Sequence, residues 1–182
     1  ITSGLVGSEM CIRDRMYNEQ IRNTTGGSTW ANDNKTLFYS SREDVTLRVN
    51  KIHKHKLGSE VSEDELVYEE KDKEFSTGIF KTKSNKFLVI GSGSTLTSEV
   101  RYIDADNPSE EPKLFLKRVE GHEYSIDHYK NDFYIKTNIN DAHNFKIMKT
   151  STSNTNLSRW KDLVKHRDDV LIEDIEIFDN YF

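Results

Sequence analysis

The sequence is poor in cysteine, in long apolar runs and in concentrated positive charge. Its single cysteine, Cys11, rules out an intrachain disulfide framework and is typical of a reducing compartment. No apolar run approaches the ~18 residues that a membrane-spanning helix needs, and residues 1–12 lack the basic leader of a signal peptide. The formal net charge of −5 argues against a nucleic-acid partner, whose phosphates require a basic surface. We therefore expect a soluble, cytoplasmic protein with no membrane or nucleic-acid partner.

Motifs of common catalytic and nucleotide-binding sites are also missing. The nucleophile of an α/β-hydrolase needs Gly-x-Ser-x-Gly at a strand-to-helix turn, and this pattern does not occur. The stretch GSGSTL, residues 91–96, has suitable letters but not the spacing of that motif, of a P-loop or of a dinucleotide fingerprint. We interpret it as a strand end with a bulge.

The histidines do not show the spacing of a metal site. His53 and His55 share one face of a probable strand, but no third ligand is specified, so an exposed strand face is the favoured interpretation. His122 and His128, with Glu123 beside them, would lie ~20 Å apart on a strand, which favours a structural role. The sequence thus predicts no catalytic residue, no cofactor site and no metal site.

The sequence contains many aromatic residues, which compensate for its low hydrophobic content. Hydrophobic residues make up only 34% of the 182 positions and charged residues 31%, but there are nine Phe and eight Tyr. Aromatic side chains bury a large area each and favour pleated surfaces, so a packed β domain is expected rather than disorder. Trp30 and Trp160 are interpreted as packing residues.

A polar turn recurs along the chain. In TWANDNKTLFY, residues 29–39, a polar tract separates two apolar flanks, as in a tight turn between paired strands. The same arrangement returns at intervals of about 49 residues, at Asn34, Asn85, Asn131 and Asn180. Short apolar clusters flanked by charge return at the same interval and begin at Leu66, Leu114 and Leu163. Two unrelated features with one period indicate an internal repeat.

Each repeat predicts four strands. The first ends just before the turn, at Trp30, Phe80, Tyr129 and Phe178. A continuous apolar strand such as FLVI, residues 87–90, follows and is expected to be buried on both faces, and then come an amphipathic strand and a short outer strand. The acidic run EVSEDE, residues 60–65, lies in the loop before an outer strand and is most simply solvated, although such loops can bind partners. Units of this kind stacked face to face are β-propeller blades, and a β-sandwich is the alternative.

The predicted fold is all-β, a partial β-propeller of about three four-stranded antiparallel blades and the start of a fourth. The blades are expected at about residues 24–71, 72–119, 120–168 and, incomplete, 169–182. Propellers contain roughly four to eight blades, so the chain is expected to be a piece of a longer polypeptide. Residues 1–15 lack the repeat and resemble a translated sequencing adapter, so we expect an extraneous leader there, with the propeller region at residues 16–182.

Five segments carry a more specific signal: TTGGSTWANDNKTLFYSSRED, DELVYEEKDKEF, STLTSEVRYIDADNP, EGHEYSIDHY and HRDDVLIEDIEIF. In this order they resemble the N-terminal propeller of the prolyl oligopeptidase family of serine peptidases, in its oligopeptidase B branch. The resemblance implies a seven-bladed propeller over a C-terminal α/β-hydrolase domain that carries Ser, Asp and His. It also implies cleavage of short peptides after Arg or Lys and exclusion of folded proteins.

On this resemblance, the partner of the chain is the C-terminal hydrolase domain of the same polypeptide, and short basic peptides are substrates of the whole enzyme. The chain itself would supply propeller blades and no catalytic residue, so it is expected to be inactive alone. The alternative is a free-standing propeller scaffold that binds a protein through loops such as residues 60–65.

Overall fold

The computed structural model describes residues 20–178. Within this range the chain forms twelve β-strands in three four-stranded antiparallel sheets, and two 3₁₀ helices, Val61–Glu63 and Leu157–Arg159. No helix among these residues has the length and hydropathy needed to cross a bilayer. The prediction of an all-β chain built from four-stranded units is confirmed. The predictions for residues 1–15 and for Asn180 fall outside the described residues.

Each sheet is a meander in which consecutive strands lie side by side. The first sheet contains β1 (Thr24–Trp30), β2 (Thr36–Arg42), β3 (Val49–Lys56) and β4 (Glu65–Glu69). The second contains β5 (Ser76–Lys81), β6 (Phe87–Gly93), β7 (Ser98–Asp104) and β8 (Lys113–Leu116). The third contains β9 (Tyr124–Tyr129), β10 (Asp132–Thr137), β11 (Lys146–Ser151) and β12 (Lys161–Val164). The short outer strands β4, β8 and β12 are those predicted from the repeated apolar clusters.

Strand β6 is buried on both faces, as the FLVI run predicts. Leu88 and Ile90 face the core that the second sheet shares with the first, whereas Phe87 and Val89 face the core shared with the third. Successive side chains of a strand point to opposite sides, so both faces of the strand need a cover. None of the four is more than 7% exposed. The second sheet therefore lies between two others.

The two cores differ in composition. The core between the first and second sheets is mainly aliphatic, with Phe38 and Ile52 packed against Leu88 and Ile103. The core between the second and third sheets is largely aromatic, and its centre is Phe133, which is 0% exposed. Its ring lies 5.1 Å from the ring of Phe87 and 5.1 Å from that of Phe115. Such ring pairs add about 0.5–1.5 kcal/mol beyond area burial.

The first two hairpins share a turn, and the third does not. Residues 31–35 join β1 to β2 and residues 82–86 join β5 to β6, with Asn34 (φ 54°) and Asn85 (φ 60°) in the left-handed region that Asn tolerates. Only Lys130 and Asn131 separate β9 from β10, and Lys130 (φ 56°) takes the left-handed position. The turn predicted at Asn131 is present, but its left-handed residue is Lys130 and not the asparagine, because this connection has only two residues.

Residues 171–178 run along the third sheet without forming a strand. The amide of Ile172 donates to the carbonyl of Asn144 at 3.0 Å, and the ammonium of Lys136 donates to the carbonyl of Glu173. Further along, Ile177 is only 2% exposed. The segment follows the third sheet where a fourth unit is predicted to begin. The division of the chain into blade domains at the predicted boundaries stays a prediction.

Candidate functional site

One end of each sheet carries both the linker that follows its fourth strand and the loop between its second and third strands. Neighbouring antiparallel strands run in opposite directions, so these two connections leave the sheet on the same side. We call this side the linker end. It comprises linkers 70–75, 117–123 and 165–170 and loops 43–48, 94–97 and 138–145. The buried ion pairs that join neighbouring sheets are concentrated there.

Arg48 ties the first loop to the first linker. Its guanidinium donates to the backbone carbonyls of Asp72 and Phe75, both at 2.7 Å. The same side chain pairs with the Glu43 carboxylate at 2.7 Å. Linker carbonyls have no strand partner, and a guanidinium with several donors satisfies two of them at once. Arg48 therefore holds the linker through which the chain enters the second sheet.

Arg118 joins the second linker to two carboxylates that the fold buries. Its Nη2 lies 2.7 Å from Glu70 Oε2 and 3.3 Å from Glu99 Oε1, and its guanidinium lies 4.0 Å from the centre of the Phe75 ring. The side chains of Glu70 and Glu99 are only 4% and 6% exposed. Arg101 also pairs with Glu99. A buried charge needs a partner of opposite charge, and Arg118 is the partner that compensates the loss of water around the Glu70 and Glu99 carboxylates.

Both carboxylates are held in the charged form. Burial acts to raise the pKa of Glu99, but hydrogen bonds from Arg118 and Arg101 outweigh it, so the pKa is lowered. Burial also acts to raise the pKa of Glu70. Hydrogen bonds from Arg118, from the amide of Asp72 and from the Tyr68 hydroxyl outweigh it, so the pKa of Glu70 is lowered. A general acid or base works best with a pKa near the operating pH. These groups suit the joining of sheets rather than proton transfer.

The prediction that His53 and His55 lie on an exposed strand face is wrong. His55 is 2% exposed, and its Nδ1 lies 2.6 Å from Asp64 Oδ1. The Tyr39 hydroxyl donates to Asp64 Oδ2 at 2.8 Å, and its ring stacks on that of His53 at 5.3 Å. The physical reason is that the loop at residues 57–64 folds back on β3. It brings a carboxylate to a histidine that local spacing places at the surface.

The acidic run at residues 60–65 lies in the predicted loop before β4. Glu60, Glu63 and Glu65 are exposed, which agrees with a solvated surface. Asp64 is the exception, since its side chain is 4% exposed and engaged by His55. A partner of this loop would therefore meet three glutamates and not the buried aspartate.

His122 and His128 occupy packing positions. Nε2 of His122 lies 2.8 Å from the Thr137 hydroxyl, and Nδ1 of His128 lies 2.7 Å from the Ser84 hydroxyl. The His128 ring also meets the Phe87 ring at 4.8 Å. Burial lowers the pKa of both histidines. Their surroundings support the structural role predicted for them.

The GSGSTL stretch ends a strand as predicted, but the predicted bulge is wrong. Strand β6 pairs with β7 in unbroken register up to Gly93, and the turn closes with the Ser94 amide donating to the Thr97 carbonyl at 2.9 Å. Gly91 lies directly opposite Gly78 of β5. Two facing glycines remove side chains from the sheet without adding a residue to either strand.

The two tryptophans have different environments. Trp160 is 7% exposed, lies in the aromatic core and donates its Nε1–H to the Thr155 carbonyl at 3.0 Å. Trp30 is 41% exposed and lines a groove on the outer face of the first sheet with Leu37 and Leu57. The packing interpretation is confirmed for Trp160 and wrong for Trp30, since the first sheet covers Trp30 only in part.

The sequence does not predict a cluster of His143, His166 and Asp168 at the linker end of the third sheet. His143 Nε2 lies 3.5 Å and His166 Nδ1 lies 3.8 Å from the same carboxylate oxygen of Asp168. The only local signal is the close spacing of His166 and Asp168, because His143 comes from a distant loop. The Arg48 and Arg118 contacts were equally hidden, since their partners lie far away along the chain.

Residues 9–182 match the family model described as "Prolyl oligopeptidase, N-terminal beta-propeller domain". The chain is 38% identical over 163 residues to dipeptidyl aminopeptidase BI of Pseudoxanthomonas mexicana and 32% identical over 167 residues to protease 2 of Moraxella lacunata. These alignments cover 90% and 92% of the chain but only 22% and 23% of the relatives. The chain thus spans less than a quarter of the length of these curated relatives.

Two solved structures have the same arrangement of sheets. Oligopeptidase B from Leishmania major matches with a TM-score of 0.78 and 32% identity, over 84% of this chain and 21% of that one. Oligopeptidase B from Trypanosoma brucei, in a closed form with covalently bound antipain, matches with a TM-score of 0.81 and 27% identity, over 88% of this chain and 23% of that one.

Proposed function

Because the chain belongs to the prolyl oligopeptidase family, within its N-terminal β-propeller domain, we propose that it is the propeller portion of a serine oligopeptidase that cleaves short peptides after Arg or Lys. The observation that carries this proposal is the match of three stacked sheets to two oligopeptidase B structures. The cleaving residues would lie in a C-terminal α/β-hydrolase domain of the same polypeptide. The chain itself would supply no catalytic residue.

The role proposed for the chain is to limit substrates by size. The second sheet is buried on both faces, and Arg48 and Arg118 hold the linkers on either side of it. Opening a passage between two of these sheets would expose an apolar core, and at the linker end it would also disturb the buried carboxylates of Glu70 and Glu99, so separation of the sheets is unfavourable. Stacked sheets that do not separate would exclude folded proteins from the hydrolase domain, whereas short basic peptides would still reach it.

A scaffold that binds a protein partner remains the second candidate. The exposed glutamates at positions 60, 63 and 65 favour it, since exposed loops often carry binding residues. Family membership favours the peptidase. A cytoplasmic location, expected from the absence of cysteine outside residues 1–15, is part of the same proposal.

The proposal is tested with the chain alone and with the full-length polypeptide that contains it. The chain alone should hydrolyse no Arg- or Lys-containing peptide and should not react with a fluorophosphonate serine probe. The full polypeptide should cleave a short Arg-containing peptide and spare the same sequence placed inside a folded protein. Probe labelling of the chain alone, or equal cleavage of both substrates by the full polypeptide, would overturn the proposal. A full polypeptide that cleaves neither substrate would support the scaffold.

A further inference from the structure

We propose that His143, His166 and Asp168 bind a divalent transition-metal ion, with Zn²⁺ as the ion best suited to them. The three residues are brought together from loop 138–145 and linker 165–170, and their ligand atoms all lie within 4.8 Å of one another. Two imidazoles and one carboxylate are a ligand set that zinc accepts, with a fourth position left for water. This inference does not depend on the proposed peptidase function.

The distances leave room for one ion. Zinc–nitrogen and zinc–oxygen bonds of about 2.0–2.2 Å in a tetrahedron place neighbouring ligand atoms about 3.3 Å apart. Asp168 Oδ1 lies 3.5 Å from His143 Nε2 and 3.8 Å from His166 Nδ1. The two imidazole rings are 4.6 Å apart at 69°, so they are neither parallel nor stacked. Small side-chain rotations would bring all three ligand atoms onto one ion.

The ring of His143 is already oriented for this. Its Nδ1 lies 3.1 Å from the backbone carbonyl of Asp141, which can only accept a hydrogen bond. Nδ1 therefore carries the proton, and the lone pair is on Nε2, the atom that faces Asp168. Ligating histidines usually donate their second ring N–H to a carbonyl or carboxylate in this way.

The backbone of Asp168 is held against the same loop. The side-chain amide of Asn144 donates to the carbonyls of Arg167 and Asp168 at 3.2 and 2.8 Å. The Arg167 guanidinium is engaged by Asp169, at 3.0 and 2.7 Å, so it is directed to that residue and not to the Asp168 carboxylate. The Asp168 carboxylate thus faces the two histidines, whereas the Asp169 carboxylate is paired with Arg167.

His166 offers only one nitrogen to the cluster. Its Nε2 is buried and has no hydrogen-bond partner among the described residues, whereas Nδ1 faces Asp168. The side chains of His143 and Asp168 are 68% and 87% exposed, so an ion could enter from solvent and keep a water ligand. We therefore expect exchangeable binding rather than a closed structural site.

A bound ion would join the loop of the third sheet to the linker that follows it. At the first linker the same task falls to Arg48, whose guanidinium ties loop 43–48 to residues 72 and 75. In the third sheet no arginine holds that position among the described contacts, and Asn144 provides the bridge through two hydrogen bonds. Zinc would add a second, stronger bridge at this position.

The test is Zn²⁺ binding to the 182-residue chain by calorimetry, with Mg²⁺ as the comparison ion. We expect one Zn²⁺ per chain and no comparable binding of Mg²⁺, which prefers oxygen ligands. D168N and H143A should each weaken Zn²⁺ binding by more than about 10-fold, since loss of even an outer hydrogen-bond partner costs 10–100-fold. D174N is the control and should bind as the parent chain does, because Asp174 is exposed and lies outside the cluster.

The Asp168 side chain is 87% exposed and Asp174 is also exposed, so neither substitution is expected to unfold the chain. Cobalt substitution gives a second measurement, because a tetrahedral site produces a visible spectrum that D168N should abolish. Absence of Zn²⁺ binding at submillimolar concentration, or equal affinities of D168N and D174N, would overturn the proposal.

Discussion

Arg118 lies between two carboxylates that the fold removes from water. Glu70 is the first residue of the first linker and Glu99 belongs to β7, so the guanidinium joins parts of the chain that come from different sheets. Removing it would leave two buried charges with fewer partners. Three histidines also affect the stability of the fold, because burial lowers their pKa and so favours the neutral imidazole.

R118M should lower the free energy of unfolding by about 2–3 kcal/mol. Breaking a buried ion pair typically costs 3–5 kcal/mol, and the 25% exposure of the Arg118 side chain lets water compensate in part. R167M is the control, because the Arg167–Asp169 pair is 64% and 70% exposed and such pairs contribute about 0–1 kcal/mol. Urea unfolding of both variants measures the difference, and equal losses would contradict the role assigned to Arg118.

Stability should fall as the pH drops below about 6.5. Burial holds the pKa of His53, His122 and His128 below the ordinary value of 6.5, so the unfolded chain binds more protons there. Stability from these groups is present above pH 6.5 and is lost as the pH falls through their folded pKa values. Glu70 and Glu99, with pKa values lowered from 4.5, add a further loss below pH 4.5.

Thermal unfolding at pH 7.5 and 5.5 checks the histidine effect. The midpoint should be lower at pH 5.5, and H128Q, which can keep a hydrogen bond to Ser84, should reduce the difference. A higher midpoint at the lower pH would contradict the expected sign.

At the scale of elements, the hairpin turns differ in which residue takes the left-handed conformation. Asn34 and Asn85 take it in the first two sheets, and Lys130 takes it in the third. A lysine has no side-chain feature that favours this region, whereas Asn tolerates it and Gly enters it freely.

K130G should therefore stabilise the chain by about 0.5–1 kcal/mol. The left-handed region costs a non-glycine residue about 1–2 kcal/mol, and the greater freedom of glycine in the unfolded chain returns part of this. N131G should give no gain, because Asn131 is not in that region. Unfolding free energies of the two variants decide the matter. A larger gain from N131G would mean that the turn is assigned to the wrong residue.

Over the whole molecule, the sheets differ in how many of their faces are covered by a neighbouring sheet. The second sheet has a neighbour on each face, whereas the outer face of the first sheet exposes Trp30 and Leu66 by 41% and 51%. In stacked repeats, each unit is stabilised by its interfaces with its neighbours. An uncovered apolar face of this kind favours association.

The 182-residue chain should therefore self-associate at micromolar concentration. W30S should reduce the association, because Trp30 is the largest apolar side chain on that face. V45S is a suitable control, since Val45 is 92% exposed but lies in loop 43–48 and not on the sheet face. Sedimentation velocity measures the result. A monodisperse monomer, or an equal effect of both substitutions, would contradict the prediction.

Much of the fold could be read from the sequence. The repeated turns and apolar clusters predicted four-stranded units, FLVI predicted a strand buried on both faces, and five segments predicted the family that the comparison confirms. The candidate site was mostly hidden. Neither the partners of Arg118 nor the cluster around His143 leaves a local pattern.

The sequence by itself determined the strands and their order in each sheet, because these follow from side-chain alternation, turn chemistry and short-range spacing. The family came from the resemblance of five segments and not from these patterns. Tertiary structure alone decided which polar groups meet. His55 is buried because a folded-back loop brings Asp64 to it, and Lys130 takes the left-handed turn position because the third hairpin is short. Local pattern sets the periodicity of a strand, but the partner of a buried charge depends on how distant segments pack.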